Sequence, residues 1–411
     1  MPDSPDPLLP LRAAAAAREE AGLRRVLQPR PPGGDGVLVD LASNDYLGLT
    51  RHPTVTQAAA AAARQWGAGS TGSRLVTGST ELHAQLERSL ADYCGAAAAL
   101  VFSSGYLANL GVVTALAAAL GTVPDGPERQ PDGQNVLLVS DAANHASLVD
   151  ACRLARARVA VTPHLDVHAV EAALAGRAEA AALVVTESVF SVHGDLAPLA
   201  ELHGVCRKHG ALLVVDEAHA LGVIGPGGRG AVCAAGLAGQ PDVILAMTLS
   251  KSLAAQGGAV LGAPEVIQTL VDTGRSFIFD TGLAPPCAGA AQAALDVLAA
   301  DPDLGSRCRQ NAARIADIAA ECGLEACAPA AGVVSIMLGR PQTALAARRG
   351  CAEHGVRVGC FRPPSVPAGR SCLRLAAHAT LTQRDFTVVS RALAAVRDDV
   401  YTRDLAGRRW P

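Results

Sequence analysis

The chain has 411 residues, of which half are hydrophobic and 18% are charged, so a large buried core is expected and global disorder is excluded. A net charge of −3 and an aromatic content of 3% argue against nucleic acid or an anionic membrane as the main partner. Only two of the 35 basic residues are lysines, Lys208 and Lys251, so any amine chemistry has two candidates.

No metal site, disulfide framework or secretion signal is predicted. The eleven cysteines are scattered without a CxxC pair, and Asp166 is expected to cap a helix that leaves His164 and His168 on different faces. The N-terminus has no basic segment before an apolar run, so we expect a reducing, cytoplasmic location. The uncharged stretch 95–124 is interpreted as a buried strand, a turn and a buried helix rather than a membrane span.

In chain order, the pattern predicts a helix over 12–27, a linker at 30–36, and helices over 54–66 and 80–93, with Thr80 as a possible N-cap. Short apolar runs then alternate with helices. They lie at 98–102, 136–140, 159–162, 182–186, 211–215, 242–247 and 258–262. Continuous apolar strands indicate an α/β fold whose mostly parallel sheet is covered by helices on both faces. A surface loop is predicted at 121–135.

After residue 285 the pattern changes to a helix at 286–300, a second helix, and strands near 332–338 and 356–360. This change predicts a smaller C-terminal α+β domain. The resulting division is an N-terminal segment over 1–50, a large α/β domain over 51–285 and a small domain over 286–411.

Three nucleotide-binding motifs are rejected on context. Two GxGxxG matches, at 67–72 and 225–230, lack the preceding strand that a dinucleotide fingerprint requires, so both are interpreted as backbone turns. Residues 216–219 spell DEAH, but the chain has no Gly-Lys pair and hence no phosphate loop.

Polar side chains follow five of the predicted strands. In an open α/β sheet, ligands bind beyond the carboxyl ends of the strands, so these side chains are expected to converge. They are Ser103, Ser104, Gly105 and Tyr106, then Asp141, Asn144 and His145, then Glu187, Ser188 and Ser191, then Asp216 and His219, then Thr248, Ser250 and Lys251.

The convergent groups match the parts of pyridoxal phosphate. Ser104 and Gly105 open a helix, whose N-terminus suits a phosphate, with Thr248 nearby. Lys251 offers an amine for the aldehyde, and Asp216 a carboxylate for the pyridine nitrogen. Ordinary structural roles remain open: a solvated charge for Lys251, a cap for Asp216, a helix-start residue for His145 and a core histidine for His219.

On the basis of these residues, the chain resembles the α-oxoamine synthases, a family of fold-type I pyridoxal phosphate enzymes. The resemblance covers about residues 20–390. The segments that carry it are LASNDYLGL (41–49), GAGSTGSRLVTGST (67–80), FSSGYLANLG (102–111), HASLVDACR (145–153), VFSVHGDLAPL (189–199), VDEAHALGVIGPGGRG (215–230), TLSKSLAAQGGAVLG (248–262) and CFRPPSVPAG (360–369). The last segment points to the branch that condenses L-alanine with a pimeloyl thioester.

The resemblance implies roles for individual residues. Lys251 would be the Schiff-base lysine, Asp216 would pair with the pyridine nitrogen, His145 would stack on the ring and His219 would bond its phenolic oxygen. Other residues would surround the cofactor and its phosphate: Ser104, Gly105, Tyr106, Glu187, Ser191 and Thr248. Arg374 would hold the amino-acid carboxylate, and further substrate contacts would be Arg24, Asn44, Arg362 and Ser365.

The resemblance also implies a homodimer with shared active sites, in which Thr281 reaches the phosphate of the neighbouring subunit. The chain departs from the family pattern at several positions, among them three residues. Ala220 and Ala254 replace usual glycines, which matters if the backbone there needs a positive φ, and Cys372 is expected to remove an arginine charge near the mouth of the site.

Three rival functions remain at this point. One is another α-oxoamine synthase, which uses glycine or serine with a different acyl donor. A second is a non-catalytic pyridoxal-phosphate-binding module, and a third is a nicotinamide-dependent oxidoreductase based on GxGxxG.

Overall fold

A computed structural model describes residues 6–32, 39–121 and 135–407, with side chains described as far as residue 398. Nearly all of the predicted 121–135 loop, and the end of the 30–36 linker, lie outside the described residues.

The described chain alternates strands and helices through its first two thirds. The strands are β1 Val39–Leu41, β2 Ala98–Phe102, β3 Val136–Asp141, β4 Arg158–Thr162, β5 Ala181–Glu187, β6 Leu212–Asp216, β7 Val243–Thr248, β8 Gly258–Gly262, β9 Val333–Gly339, β10 Val356–Phe361 and β11 Ser371–Ala376. The helices are α1 Leu9–Glu20, α2 Pro53–Trp66, α3 Glu81–Cys94, α4 Gly105–Leu120, α5 Ala146–Leu154, α6 Val167–Ala175, α7 Leu199–Lys208, α8 Ala231–Ala234, α9 Pro264–Thr273, α10 Arg275–Ile278, α11 Pro285–Ala300, α12 Leu304–Glu321, α13 Pro341–Glu353 and α14 Gln383–Gly407.

The larger sheet has seven strands in the order β2-β8-β7-β6-β5-β3-β4. All of its neighbouring strands pair parallel except β8, which is antiparallel to both β2 and β7. The predicted mostly parallel sheet is therefore confirmed. All seven apolar runs form its strands, with bounds within about one residue of those expected.

Both faces of this sheet are buried, which is why its strands are continuously apolar. Alternate residues of β3 belong to different cores: Leu137 and Val139 pack into one cluster, whereas Val136 and Leu138 pack into the other. Helix α4 supplies much of the second cluster and is apolar all round. It is a buried core helix, as expected, and no described helix is long and apolar enough to cross a membrane.

The smaller sheet has four strands in the order β1-β10-β11-β9. Its outer strand β1 comes from the N-terminal segment and pairs parallel with β10, with Val39 opposite Val356. The remaining pairs are antiparallel, and α12, α13 and α14 pack against this sheet around their own core. The three-part division of the chain stays a prediction, but the N-terminal segment contributes a strand to the C-terminal sheet.

The predicted end of the first helix is wrong. Helix α1 runs from Leu9 to Glu20 and stops before Gly22, which adopts a φ of 67°. The amide of Gly22 bonds to the carbonyl of Glu19, a closure typical of glycine just beyond a helix. The predictions for α2 and α3 are confirmed, including Thr80 as N-cap, which forms a capping box with His83.

Candidate active site

A cavity of about 130 Å³ lies at the carboxyl edge of the larger sheet. Strands β5, β6 and β7 all end there, and helices α4 and α5 begin there. The predicted convergence is therefore real. Predicted residues lining the cavity are Gly105, Tyr106, His145, Glu187, Asp216, His219, Thr248 and Lys251.

Lys251 lies three residues beyond β7 and faces two buried carboxylates. Burial lowers the pKa of Lys251 to about 8, against the opposing effect of Asp216 and Glu187. Burial and the charge of Asp216 in turn raise the pKa of Glu187 to about 8. One oxygen of Glu187 accepts from the Ser191 amide at 3.1 Å, while Oε1 is buried without a partner among the described residues. An amine with this lowered pKa is neutral more often near neutral pH than an exposed lysine.

Asp216 ends β6 and is 5% exposed. Its Oδ1 accepts from the amide of Ala218 at 2.8 Å, and its Oδ2 accepts from Nδ2 of Asn109 at 2.7 Å. Asn109 lies on α4 and is itself buried. The carboxylate is therefore held from two sides beside the cavity, rather than serving only as a cap.

The first turn of α4 provides an anion site. Ser104 caps the helix by accepting from the amide of Leu107 at 3.2 Å, which leaves the amides of Gly105 and Tyr106 without intrahelical carbonyl partners. A Cβ at Gly105 would lie 2.8 Å from the Cβ of Thr248, so only glycine allows this close approach. The hydroxyls of Thr248 and Ser250 lie 2.7 Å apart at the same place.

His145 is the N-cap of α5, and its Nδ1 contacts the Ser147 hydroxyl at 2.8 Å. Burial lowers the pKa of His145, and Lys251 lowers it further, whereas Asp216 and Asp150 oppose the shift. The imidazole is consequently biased toward its neutral form. His145 thus combines a structural capping role with a place in the cavity wall.

His219 and Arg374 meet at the phenol of Tyr46. The Tyr46 hydroxyl lies 2.6 Å from Nδ1 of His219 and accepts from Nη2 of Arg374 at 3.2 Å. Arg374 also donates to the Ser191 carbonyl at 2.6 Å and to Oδ1 of Asn44 at 2.8 Å. Burial, with Lys251 and Arg374 nearby, holds the pKa of His219 well below its usual value, so this ring is neutral. Arg374 joins the smaller sheet to the cavity and keeps N–H groups for a ligand.

Several predicted residues lie away from this cavity. Arg24 is exposed and pairs with Glu19 at 2.8 Å, whereas the adjacent Arg25 contacts Ser365 at 3.3 Å. Arg362 donates to the carbonyl of Gly22. These contacts place Ser365 and Arg362 against the N-terminal segment, beside a wide cleft.

Two further predicted residues face outward. Thr281 is exposed, and it does not line the cavity in the single chain. Tyr106 does line it, although its side chain is 43% exposed and its hydroxyl donates to Asp150 at 2.5 Å.

The wide cleft has a volume of about 1050 Å³ and is bounded by α5, the 190–193 loop and the proline-rich loop after β10. Its lining includes Asn144, Arg153, His193, Ser365 and Arg370. At the start of α5, Asn144 lines the cleft and the adjacent His145 lines the cavity.

The three departures from the family pattern have different outcomes. Ala254 has a φ of 54°, so a residue with a Cβ occupies a left-handed position in the lysine loop. Ala220 is fully buried and is not among the described residues with a positive φ. The expectation for Cys372 stays a prediction: the cysteine is fully buried in β11, two residues before Arg374 and between β9 and β10.

The rejected motifs are structural. The 225–230 segment is a tight turn with positive φ at all four of its glycines, and no strand enters it directly. Glu217 of the DEAH sequence accepts from the amides of Ala231 and Val232, each at 2.9 Å, and so caps α8. No group of three or more side chains among the described residues could hold a metal ion.

Sequence reasoning missed three residues that organise the cavity. Tyr46 and Asn109 were noted only as parts of longer segments, and Ser147 was not singled out. Tyr46 and Asn109 lie far along the chain from His219 and Asp216, the catalytic residues that they contact, so spacing carried no signal for them. Ser147 lies only two residues after His145, at the start of the same helix, so its spacing could have identified it.

The comparisons with known proteins give the family. A model described as aminotransferase class I and II matches residues 37–393. The chain is 58% identical over 390 residues to an 8-amino-7-oxononanoate synthase from Mycobacterium sp. (strain KMS), covering 95% of this chain and 97% of that protein. It belongs to the 8-amino-7-oxononanoate synthase family. A relative of the same name from Mycobacterium marinum is 55% identical over 409 residues, covering 100% of this chain and 98% of its own.

Solved structures show the same fold. A serine palmitoyltransferase from S. paucimobilis with bound PLP–myriocin has a TM-score of 0.86 and 29% identity, covering 97% of this chain and 100% of that one. An 8-amino-7-oxononanoate synthase from Francisella tularensis, at 24% identity and a TM-score of 0.74, covers 90% of this chain and 100% of that one, and shares the fold. As a member of the 8-amino-7-oxononanoate synthase family, the chain is a pyridoxal-phosphate-dependent acyltransferase with a fold-type I architecture.

The residues present fit pyridoxal phosphate. The cavity offers each kind of group that the cofactor requires: an amine, a buried carboxylate, and a helix start with unpaired amides. The buried Glu187 Oε1 and Asn109 Oδ1, which lack partners among the described residues, are two polar atoms that a bound group could reach.

Proposed function

We propose that this chain condenses L-alanine with a pimeloyl thioester, releasing carbon dioxide and the free thiol and forming 8-amino-7-oxononanoate for biotin biosynthesis. The observation that carries the proposal is the burial of Lys251 beside Asp216 and Glu187, at the edge where α4 begins. The identity to named relatives supports the particular substrates.

The proposed holding groups for pyridoxal phosphate lie on four elements. Lys251 would bind the aldehyde carbon, Asp216 would face the ring nitrogen, and the α4 amides with Thr248 would take the phosphate. When bound, the cofactor supplies an aldehyde that joins amines and a ring that accepts the electron pair left at the α-carbon.

Each side chain then has a defined task. Lys251, when neutral, would take the α-proton of alanine at Nζ, because burial keeps its pKa low. Arg374 would bind the alanine carboxylate with the N–H groups left after its contacts to Ser191, Asn44 and Tyr46. His219 would donate from Nε2, since Nδ1 faces the Tyr46 hydroxyl.

We propose that the acyl donor enters through the wide cleft. Its volume exceeds that of the cavity about eightfold, which suits a long thioester better than a small amino acid. Its lining combines an apolar proline-rich wall with Arg153, His193 and Arg370. The two arginines suit the distal carboxylate of a pimeloyl chain or an anionic carrier.

We also propose a homodimer with shared sites and a cytoplasmic location. The exposed Thr281 is free in this chain to reach a partner subunit. All eleven cysteines are unpaired, which suits a reducing compartment.

Borohydride reduction of the holoenzyme followed by peptide mapping tests the lysine assignment. The label is expected on Lys251, and Lys251→Ala should abolish it. Lys208→Arg is the matched control, because Lys208 is a surface residue paired with Glu171 and its loss should change neither labelling nor activity. Label on Lys208, or none at all, would contradict the proposal.

The substrate assignment is tested separately by product analysis. Alanine with a pimeloyl thioester should give carbon dioxide, the free thiol and 8-amino-7-oxononanoate. Preference for serine or glycine with a different acyl thioester would instead identify another α-oxoamine synthase. The likeness of the fold to a serine palmitoyltransferase is the reason for testing this rival.

A further inference from the structure

Four polar side chains form a continuous chain of contacts along one wall of the cavity. Asn109 donates from Nδ2 to Oδ2 of Asp216 at 2.7 Å and to the Ser147 hydroxyl at 2.9 Å. The Ser147 hydroxyl in turn lies 2.8 Å from Nδ1 of His145. Asn109, Ser147 and Asp216 are each at least nine-tenths buried, so water does not compete for these contacts.

The hydrogen directions along this chain follow from what each group can donate. An ionised carboxylate only accepts, so the NH₂ end of Asn109 must face Asp216. That NH₂ group also donates to Ser147, which leaves the single serine hydrogen for His145. The backbone amide of Ser147 points at the same Nδ1 from 3.3 Å, and a backbone amide can only donate. Nδ1 of His145 is therefore an acceptor.

We propose that Asn109 and Ser147 are positioning residues that fix His145 as its Nε2–H tautomer and hold Asp216 in place through one shared amide. The inference rests on the proposed function, because the tautomer decides which nitrogen of His145 could donate a proton in the proposed condensation. A neutral His145 with Nδ1 occupied can deliver a proton to the condensation only from Nε2. Ser147 sets that direction, and Asn109 links it to the carboxylate assigned to the cofactor ring.

Every charged group that faces His145 acts on the ring together with this contact. Asp216 and Asp150 favour the charged imidazole, whereas burial and Lys251 favour the neutral one. The balance favours the neutral ring near neutral pH. In the neutral ring only one of the two nitrogens carries a hydrogen, so the tautomer is defined and can be measured.

Nitrogen-15 NMR of histidine-labelled protein measures the tautomer directly. The His145 signals are assigned by their loss in His145→Gln, and spectra are recorded for apoprotein and holoenzyme. The wild type should show Nε2–H. Ser147→Ala should raise the Nδ1–H population several-fold, and Ser147→Thr, which keeps a hydroxyl, should restore the wild-type spectrum. Ser371→Ala is the matched control, because the Ser371 hydroxyl is equally buried but has no partner among the described residues, so its loss should not change the His145 signals.

Two further readouts separate positioning from general damage. Ser147→Ala should lower kcat about tenfold, with the KM for alanine changed less than about threefold and the visible spectrum of the bound cofactor unchanged. Asn109→Ala should in addition shift the pH titration of that spectrum, because Asp216 loses a donor. If Asn109→Ala does not fold, Ser147→Ala alone decides the proposal.

An Nδ1–H tautomer in the wild type, or an unchanged tautomer and kcat in Ser147→Ala, would overturn the inference. These outcomes are distinct from failure of the proposed function. The NMR measurement on apoprotein needs neither cofactor nor substrate, so it stands even if alanine or the pimeloyl thioester proves to be the wrong substrate.

Discussion

At the scale of single residues, Ala254 places backbone strain three residues from the proposed cofactor lysine. Its φ of 54° costs a residue with a Cβ about 1 kcal/mol relative to glycine. Its amide nevertheless bonds to the Lys251 carbonyl at 3.0 Å, and that of Ala255 to the Leu249 carbonyl at 3.0 Å. The loop that carries Lys251 thus holds its shape against an unfavourable local preference.

We predict that Ala254→Gly leaves the free energy of unfolding unchanged or raises it by up to about 1 kcal/mol, because relief of strain offsets the added freedom of the unfolded chain. Ala220→Gly is the matched control. Ala220 is buried without a positive φ, so its replacement should destabilise the protein by about 1 kcal/mol or more. Denaturant unfolding of both variants measures this, and equal losses in the two would contradict the assignment of strain.

At the scale of elements, His164 joins three loops that border the cavity and the cleft. Its Nδ1 contacts Asp141 at the end of β3 at 2.9 Å, and its Nε2 contacts Asp195 at 3.2 Å. Asp141 also accepts from the amide of Ala143, just before His145. Asp195 lies in the same loop as Ser191, whose carbonyl accepts from Arg374. A charged His164 therefore stabilises the two loops that position those residues.

The two carboxylates raise the pKa of His164, chiefly through the hydrogen bond to Asp141 and against the effect of burial. Because the folded pKa lies above the unfolded one, this contribution is complete below the usual histidine pKa and is lost as the pH rises through the raised value. His164→Gln should therefore cost about 1 kcal/mol at pH 5.5 and less at pH 8.5.

Thermal unfolding at several pH values measures this difference. His52→Gln serves as the control, since Nδ1 of His52 has no partner among the described residues and the change should give no such trend. A deficit for His164→Gln that grows with pH would contradict the ion-pair account.

At the scale of the whole molecule, the proposed sharing of active sites between two subunits can be tested by complementation. Thr281→Glu should repel the partner's phosphate, and Lys251→Ala removes the amine, so each homodimer should be nearly inactive. If the two residues serve one site from opposite subunits, subunit exchange regenerates one intact site per mixed dimer. Activity should then return to about a quarter of that of the wild type.

The control pairs Lys251→Ala with Arg374→Gln. Both of these residues lie in the same chain around one cavity, so a mixed dimer has no intact site and should stay inactive. Recovery in the control, or none in the test pair, would contradict the sharing of sites through Thr281.

The sequence predicted the larger sheet well because each of its strands is a short apolar run that is buried on both faces. It also predicted which side chains collect at the carboxyl edge, since Glu187, Asp216 and Thr248 each end a strand. The β1–β10 pairing and the contacts of Tyr46 and Asn109 were missed, because they join residues far apart in the chain and leave no periodic signal. The burial of Cys372 was not predicted for the same reason, since it depends on the strands on either side of β11.

The parallel pairing of β1 with β10 has a consequence for the order of folding during synthesis. Asp40 and Arg357 meet across a separation of 317 residues, whereas the seven strands of the larger sheet come from one continuous stretch between residues 98 and 262. Closing so long a loop is slow compared with forming nearby contacts. The nascent chain can therefore assemble the larger sheet first. Strand β1 is synthesised before that sheet but stays unpaired until β10 has been synthesised.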